Sequence, residues 1–119
     1  MKPLDIALVC WLVACAVASL LQLAAPGRLS AKSVWGAASA WQRENALWNL
    51  ALCVGIAYVL ISRDEAGKVL VAKILAVLSI FLGLNHLAAT RTRRALTHVV
   101  ATVANGFGLA LIVWGLLSR

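Results

Sequence analysis

Hydrophobic and polar positions fall along this chain in long blocks. Four apolar runs are separated by shorter polar, mostly basic stretches. The first, "DIALVCWLVACAVASLLQLAA", covers about residues 5–25 and stops at Pro26-Gly27. The second runs over about 41–61, before "SRDEAGK". The third covers about 66–89, before "TRTRR", and the fourth about 96–117. A helix needs roughly 20 apolar residues to cross a bilayer. Backbone groups in lipid must bond within their own segment, so each run predicts a helix. The last two connections are too short for anything but antiparallel neighbours. The expected fold is therefore an all-α membrane protein, an up-down-up-down four-transmembrane-helix bundle forming a single domain over residues 1–119. The first connection is longer. Its middle is either a short interfacial helix anchored by Trp35 and Trp41 or a plain loop.

Composition supports lipid as the solvent. The chain is 63% hydrophobic, with a mean hydropathy of +0.93. A soluble domain of 119 residues has too little interior to hide that much apolar surface. The net charge of +7, from eleven Lys and Arg against four acids, would suggest nucleic acid in a soluble domain. Here the cations sit between apolar runs, which fits anchoring at lipid headgroups. The lipid bilayer is the expected partner, and nucleic acid is not. Arg91, Arg93 and Arg94 are expected to meet headgroups or an acidic partner protein. Loops one and three hold Arg28, Lys32, Arg43, Arg91, Arg93 and Arg94. The other side holds Lys2, Arg63, Lys68, Lys73 and Arg119. A margin of one residue favours loops one and three in the cytoplasm. The "LVAC" stretch at 12–15 has the look of a lipoprotein cleavage box. Apolar sequence continues to Ala25, so a retained helix is expected. The expected location is a bacterial cytoplasmic membrane. Cys10, Cys15 and Cys53 lack CxxC spacing and read as small apolar residues.

The polar residues inside the runs are unevenly placed. At 100° per residue, Trp41, Glu44, Asn45, Trp48 and Asn49 share an arc of about 140°, with Arg43 opposite. Ser79, Gly83, His86 and Thr90 line a face of the third helix, with Asn85 beside it. His98, Thr102 and Asn105 line the fourth; Trp11, Cys15, Ala18 and Gln22 line the first. Hairpin topology carries most of these groups toward the side of loops one and three. Intramembrane polar groups tend to face the interior. The expectation is a polar cup floored by Leu, Val and Ile, formed by Gln22, Trp41, Asn45, Trp48, Asn49, Asn85, Thr102 and Asn105. At the opposite end Asp5 and Lys73 are the exceptions, and a pairing between them is open.

Glu44, His86 and His98 are the candidate catalytic residues. A carboxylate beside an imidazole suits proton transfer on an apolar substrate. The same three form the candidate metal ligands, although no HExxH pattern supports them, and no other cofactor is expected. A haem between His86 and His98 would need more room than packed helices leave. Gly106, Gly108 and Gly115 would let a partner helix, or a second copy, approach the fourth helix closely. "WQRENALWN" opening the second helix and "LNH" closing the third give the chain a resemblance to DoxX-like and related small bacterial four-helix membrane proteins. That resemblance implies the hairpin plan and carries no residue role. The preferred reading is a small membrane binding or accessory protein with a polar pocket at one end. The alternative is an enzyme or carrier for a lipid-soluble small molecule.

Overall fold

The computed structural model describes residues 1–25, 39–92 and 96–118. Within them lie α1 (Pro3–Ala24), α2 (Ser39–Ile61), α3 (Glu65–Thr92) and α4 (Leu96–Leu117). All four are long and apolar enough to cross a membrane, and no strand occurs among the described residues. The architecture is the all-α four-helix bundle expected of an integral multi-pass membrane protein. Trp35, Arg93 and Arg94, and the middle of the first connection where an interfacial helix is an expected alternative, lie outside the described residues.

Local chemistry explains the helix ends. Pro3 occupies the first turn of α1, where its missing N–H costs nothing. The Asp5 carboxylate accepts the Lys2 backbone N–H at 3.3 Å. Ala25 leaves the helical region, with φ −145° and ψ 61°. The residue before a proline is pushed out of the α conformation, and Pro26 follows. Between α2 and α3 the chain turns through Ser62 and Arg63, and Arg63 takes a left-handed φ of 55°. Asp64 then caps α3, its Oδ1 accepting the Gly67 N–H at 3.0 Å. The third helix outruns its expected end at residue 89. Hydropathy marks where lipid stops, whereas a helix can continue through Thr90 and Arg91 into the wet interface.

Contacts fix the direction of each helix. Ser19 meets Ala46 and Leu12 meets Cys53, so α1 and α2 are antiparallel. Trp11 meets Gly108 and Leu4 meets Gly115, so α1 and α4 are antiparallel too. His86 meets His98, and Gly83 lies against Asn105, which sets α3 against α4. One face of the bundle carries the start of α1, the α2–α3 turn and the end of α4; we call it the turn face. The opposite one is the loop face.

The large apolar core sits in the turn-face half. Leu4, Ala7 and Leu8 of α1 join Ile56 and Val59 of α2, Ala72 and Leu75 of α3, and Ile112 of α4. Toward the loop face the buried residues are small or polar: Cys15, Ser19, Ala46, Ser79, Ala89 and His98. Contact is most extensive within the α1–α2 and α3–α4 hairpins, less so between α1 and α4, and sparse between α2 and α3. The bundle is thus plugged at one end and looser at the other.

Glycine sets the close α1–α4 approach. A Cβ on Gly115 would stand 2.9 Å from Leu4 Cα, and one on Gly108 would stand 2.8 Å from Trp11 Cζ2. These two glycines serve α1 within the chain. Gly106 has open space around its missing Cβ, as does Gly55. The outer surface is apolar: Val54, Phe81, Val103 and Phe107 are each more than 60% exposed. Such a surface is stable against hydrocarbon and not against water.

Candidate functional site

The polar residues of the spans form two seams. The first joins α1 to α2. Ser19 Oγ donates to the Ala46 carbonyl at 2.7 Å, and Asn49 Nδ2 donates to Gln22 Oε1 at 3.1 Å. In hydrocarbon an amide without a partner is costly, so the Asn49–Gln22 bond both satisfies two groups and holds the hairpin.

The second seam joins α3 to α4 through two imidazoles. His86 Nδ1 and His98 Nδ1 are 3.0 Å apart, and the ring centroids are 5.3 Å apart with the planes tilted by 41°. A ring nitrogen lies about 1.15 Å from its centroid. The centroid separation therefore equals the nitrogen separation plus one ring radius at each end, and the nitrogens point head-on. One ring must carry its proton on Nδ1 while the other offers a lone pair. A metal on that line would hold each nitrogen at about 2.0–2.1 Å, and the nitrogens would stand about 4 Å apart. The observed gap fits a shared proton. His98 is 1% exposed and His86 is half-buried.

Several hydroxyl and amide groups turn back on their own helices. Ser79 Oγ donates to Leu75 O at 2.7 Å and Thr102 Oγ1 to His98 O at 2.9 Å. Asn105 Nδ2 donates to Ala101 O at 2.8 Å. Bonding to the carbonyl four residues back is a ready solution where water is absent.

Between the seams, α1 and α4 part to leave a cavity of about 400 Å³. Its walls are mainly small: Ala14 and Ala18 of α1, Ala101 and Ala104 of α4. Trp11 and Leu111 line it toward the turn face, and Trp11 Nε1 donates to Gly108 O at 3.3 Å. Cys10, Cys15 and Phe107 add apolar lining. Asn49 from α2 and Asn105 from α4 are its two amides. Gly83 makes room for Asn105, whose Cβ lies 3.5 Å from where a Cβ on Gly83 would be. Each asparagine makes one side-chain bond among the described residues and keeps a second N–H and a carbonyl oxygen.

The expected cup is thus divided. Asn49 and Asn105 share the cavity, Gln22 stands behind Asn49, and His86 and His98 share the other seam. Thr102 bonds to the His98 carbonyl. Asn45 is half-buried on α2. Glu44, Trp41, Trp48 and Asn85 are exposed, as is Arg91. Among the described residues no three His, Cys, Asp or Glu side chains gather as a metal site requires, so Glu44 is not brought into a ligand set with the imidazoles.

A charged cluster at the turn face escaped the sequence reading. Lys68 is 4% exposed. Its Nζ lies 2.8 Å from Asp5 Oδ1 and 3.0 Å from Glu65 Oε1, and Lys2 Nζ lies 3.2 Å from Glu65 Oε2. The partner of Asp5 is therefore Lys68, and Lys73 is exposed. Lys73 lies about 7.5 Å farther along α3 and about 140° around it, out of reach of the first turn of α1. The signal was present: Asp5 and Lys68 both open helices that the topology starts on one face.

The fold defines a class, a small all-α bundle whose four helices are long and apolar enough to span a membrane. Comparison with protein-family models, curated proteins and solved structures returns no match.

Proposed function

We propose that this protein binds a lipid-soluble small molecule in the cavity between α1 and α4, acting as a membrane binding or accessory protein. One observation carries the reading: among the described residues Asn49 and Asn105 keep unused hydrogen-bonding capacity inside an otherwise apolar pocket of about 400 Å³. Ligand sites combine apolar walls with a few placed polar groups, and this volume is within the roughly 300–1,000 Å³ that they span. The ligand would have an apolar body and a compact polar group. The looser loop-face half supports access from the bilayer, since alanines line both helices at the opening. The acid–base alternative keeps the shared proton of His86 and His98 in its favour, and Glu44 adds nothing to it from an exposed position.

The test is organic extraction of the protein purified in mild detergent, followed by mass spectrometry of the extract. A co-purifying amphiphile at near-stoichiometric yield is the expected result. Ala101→Leu fills the cavity and should abolish its retention. Asn105→Leu should lower retention about fivefold to tenfold, as loss of one hydrogen bond would. An empty wild-type extract, or equal retention by Ala101→Leu, would sink the reading.

A further inference from the structure

A second cavity lies at the turn face, between the start of α1 and the α2–α3 turn, with a volume of about 470 Å³. Lys2, Asp5, Arg63, Glu65 and Lys68 line it together with Met1, Val9 and Leu60. We propose that it is a headgroup site for an anionic phospholipid, with the Arg63 guanidinium on the phosphodiester. This inference is independent of the α1–α4 cavity.

The order of the lining residues matches a lipid. On α1 the charged positions Lys2 and Asp5 come before Val9, which lies about one turn deeper. On the second helix and its turn, Leu60 lies deeper than Arg63. The charged rim is therefore outermost and the apolar wall points toward the bilayer centre. A phospholipid presents its charge and its acyl chains in that same order at the ends of spanning helices.

The charge count selects an anion. Among the lining side chains three cations, Lys2, Arg63 and Lys68, face two carboxylates, Asp5 and Glu65. Lys68 is buried between both carboxylates, and Lys2 pairs with Glu65. Arg63 makes no ion pair among the described residues. One side-chain cation is left over, and a phosphodiester supplies a negative charge for it. Guanidinium suits that partner because its fork of N–H donors matches two phosphate oxygens. A choline lipid also carries the phosphodiester but brings its own cation, and Glu65 already stands between two lysines. The Lys68 clamp holds α1 and α3 together behind the site, so the rim is preassembled.

The experiment reconstitutes the full chain into vesicles of equal phosphatidylglycerol and phosphatidylcholine, then counts retained lipids by native mass spectrometry from gentle detergent. Wild type should retain phosphatidylglycerol in preference. Arg63→Gln should reduce that preference about fivefold, the effect of one cation near an anionic surface. Arg63→Lys should keep part of it. Lys73→Gln, at an exposed lysine outside the cavity lining, should leave it unchanged. Circular dichroism checks that each variant is helical; if Arg63→Gln is not, Lys2→Gln is read in its place and should also lower the preference. Equal retention of the two lipids by wild type would overturn the proposal, as would equal losses from Arg63→Gln and Lys73→Gln. Displacement of bound phosphatidylglycerol by millimolar inorganic phosphate would assign the cavity to a soluble anion and overturn it as well.

Discussion

Replacing Gly115 by alanine probes how tightly α1 and α4 are packed. The new Cβ would stand 2.9 Å from Leu4 Cα and 3.3 Å from Leu4 N. Non-bonded carbons settle at about 3.5–4.0 Å. The shortfall is roughly 0.6–1 Å, and the obstacle is backbone, which no rotamer change can move aside. The helices must part locally by that distance. A gap of this size forfeits about a quarter to a half of each contact's attraction along the seam, and overpacking of this kind costs about 1–3 kcal/mol. Alanine returns about 0.8–1 kcal/mol through helix propensity. Gly106 supplies the control, because its missing Cβ meets nothing within 4 Å. Comparing Gly115→Ala with Gly106→Ala cancels the propensity gain and leaves about 1–3 kcal/mol from packing alone. Gly108→Ala should fall between them, since its neighbour is the Trp11 ring at 2.8 Å, a side chain that can shift. The assay is reversible unfolding in mixed micelles, titrated with a denaturing detergent. Stabilities for Gly115→Ala and Gly106→Ala that agree within about 0.5 kcal/mol would refute the packing argument.

Two further outcomes follow from the polar contacts. Leucine substitutions at Gln22 and Asn49, singly and together, should reveal a coupling near 0.6 kcal/mol in the same unfolding assay, the usual size for an interhelical bond in lipid; additive single effects would show that the bond contributes nothing. Lys68→Met should lower the thermal midpoint because it strands Asp5 in a part-buried site, and adding Asp5→Leu should recover much of the loss, since an apolar pair can replace a buried ion pair; a double variant less stable than Lys68→Met alone would contradict this account.

How much of this was legible beforehand differs between fold and site. Run length and the Pro26 stop located the helices to within a few residues, and the short connections set their order. The candidate site was legible only as a set of residue types. Asn49 and Asn105 were among the expected pocket residues, and their shared cavity depends on Ala14, Ala18, Ala101 and Ala104, which nothing marks out in a chain so rich in alanine. Glu44 shares an arc with Asn49 on a helical wheel, yet it is exposed while Asn49 is half-buried. A wheel averages over a helix whose angular position against its neighbours is unknown.

The sequence by itself determined that four segments prefer hydrocarbon and that each must be helical there. Those are local properties: transfer of a side chain to lipid and closure of a backbone bond involve only nearby residues. Tertiary structure alone decided which sides of the helices meet. In a bilayer the lipid-facing and core-facing residues are both apolar, so hydrophobic periodicity carries little record of rotation about the helix axis. The pairing of His86 with His98, the burial of Lys68 against Asp5 and the fit of Gly115 against Leu4 arise from contacts between distant segments. Their energies depend on sub-ångström distances that exist only once the helices have packed.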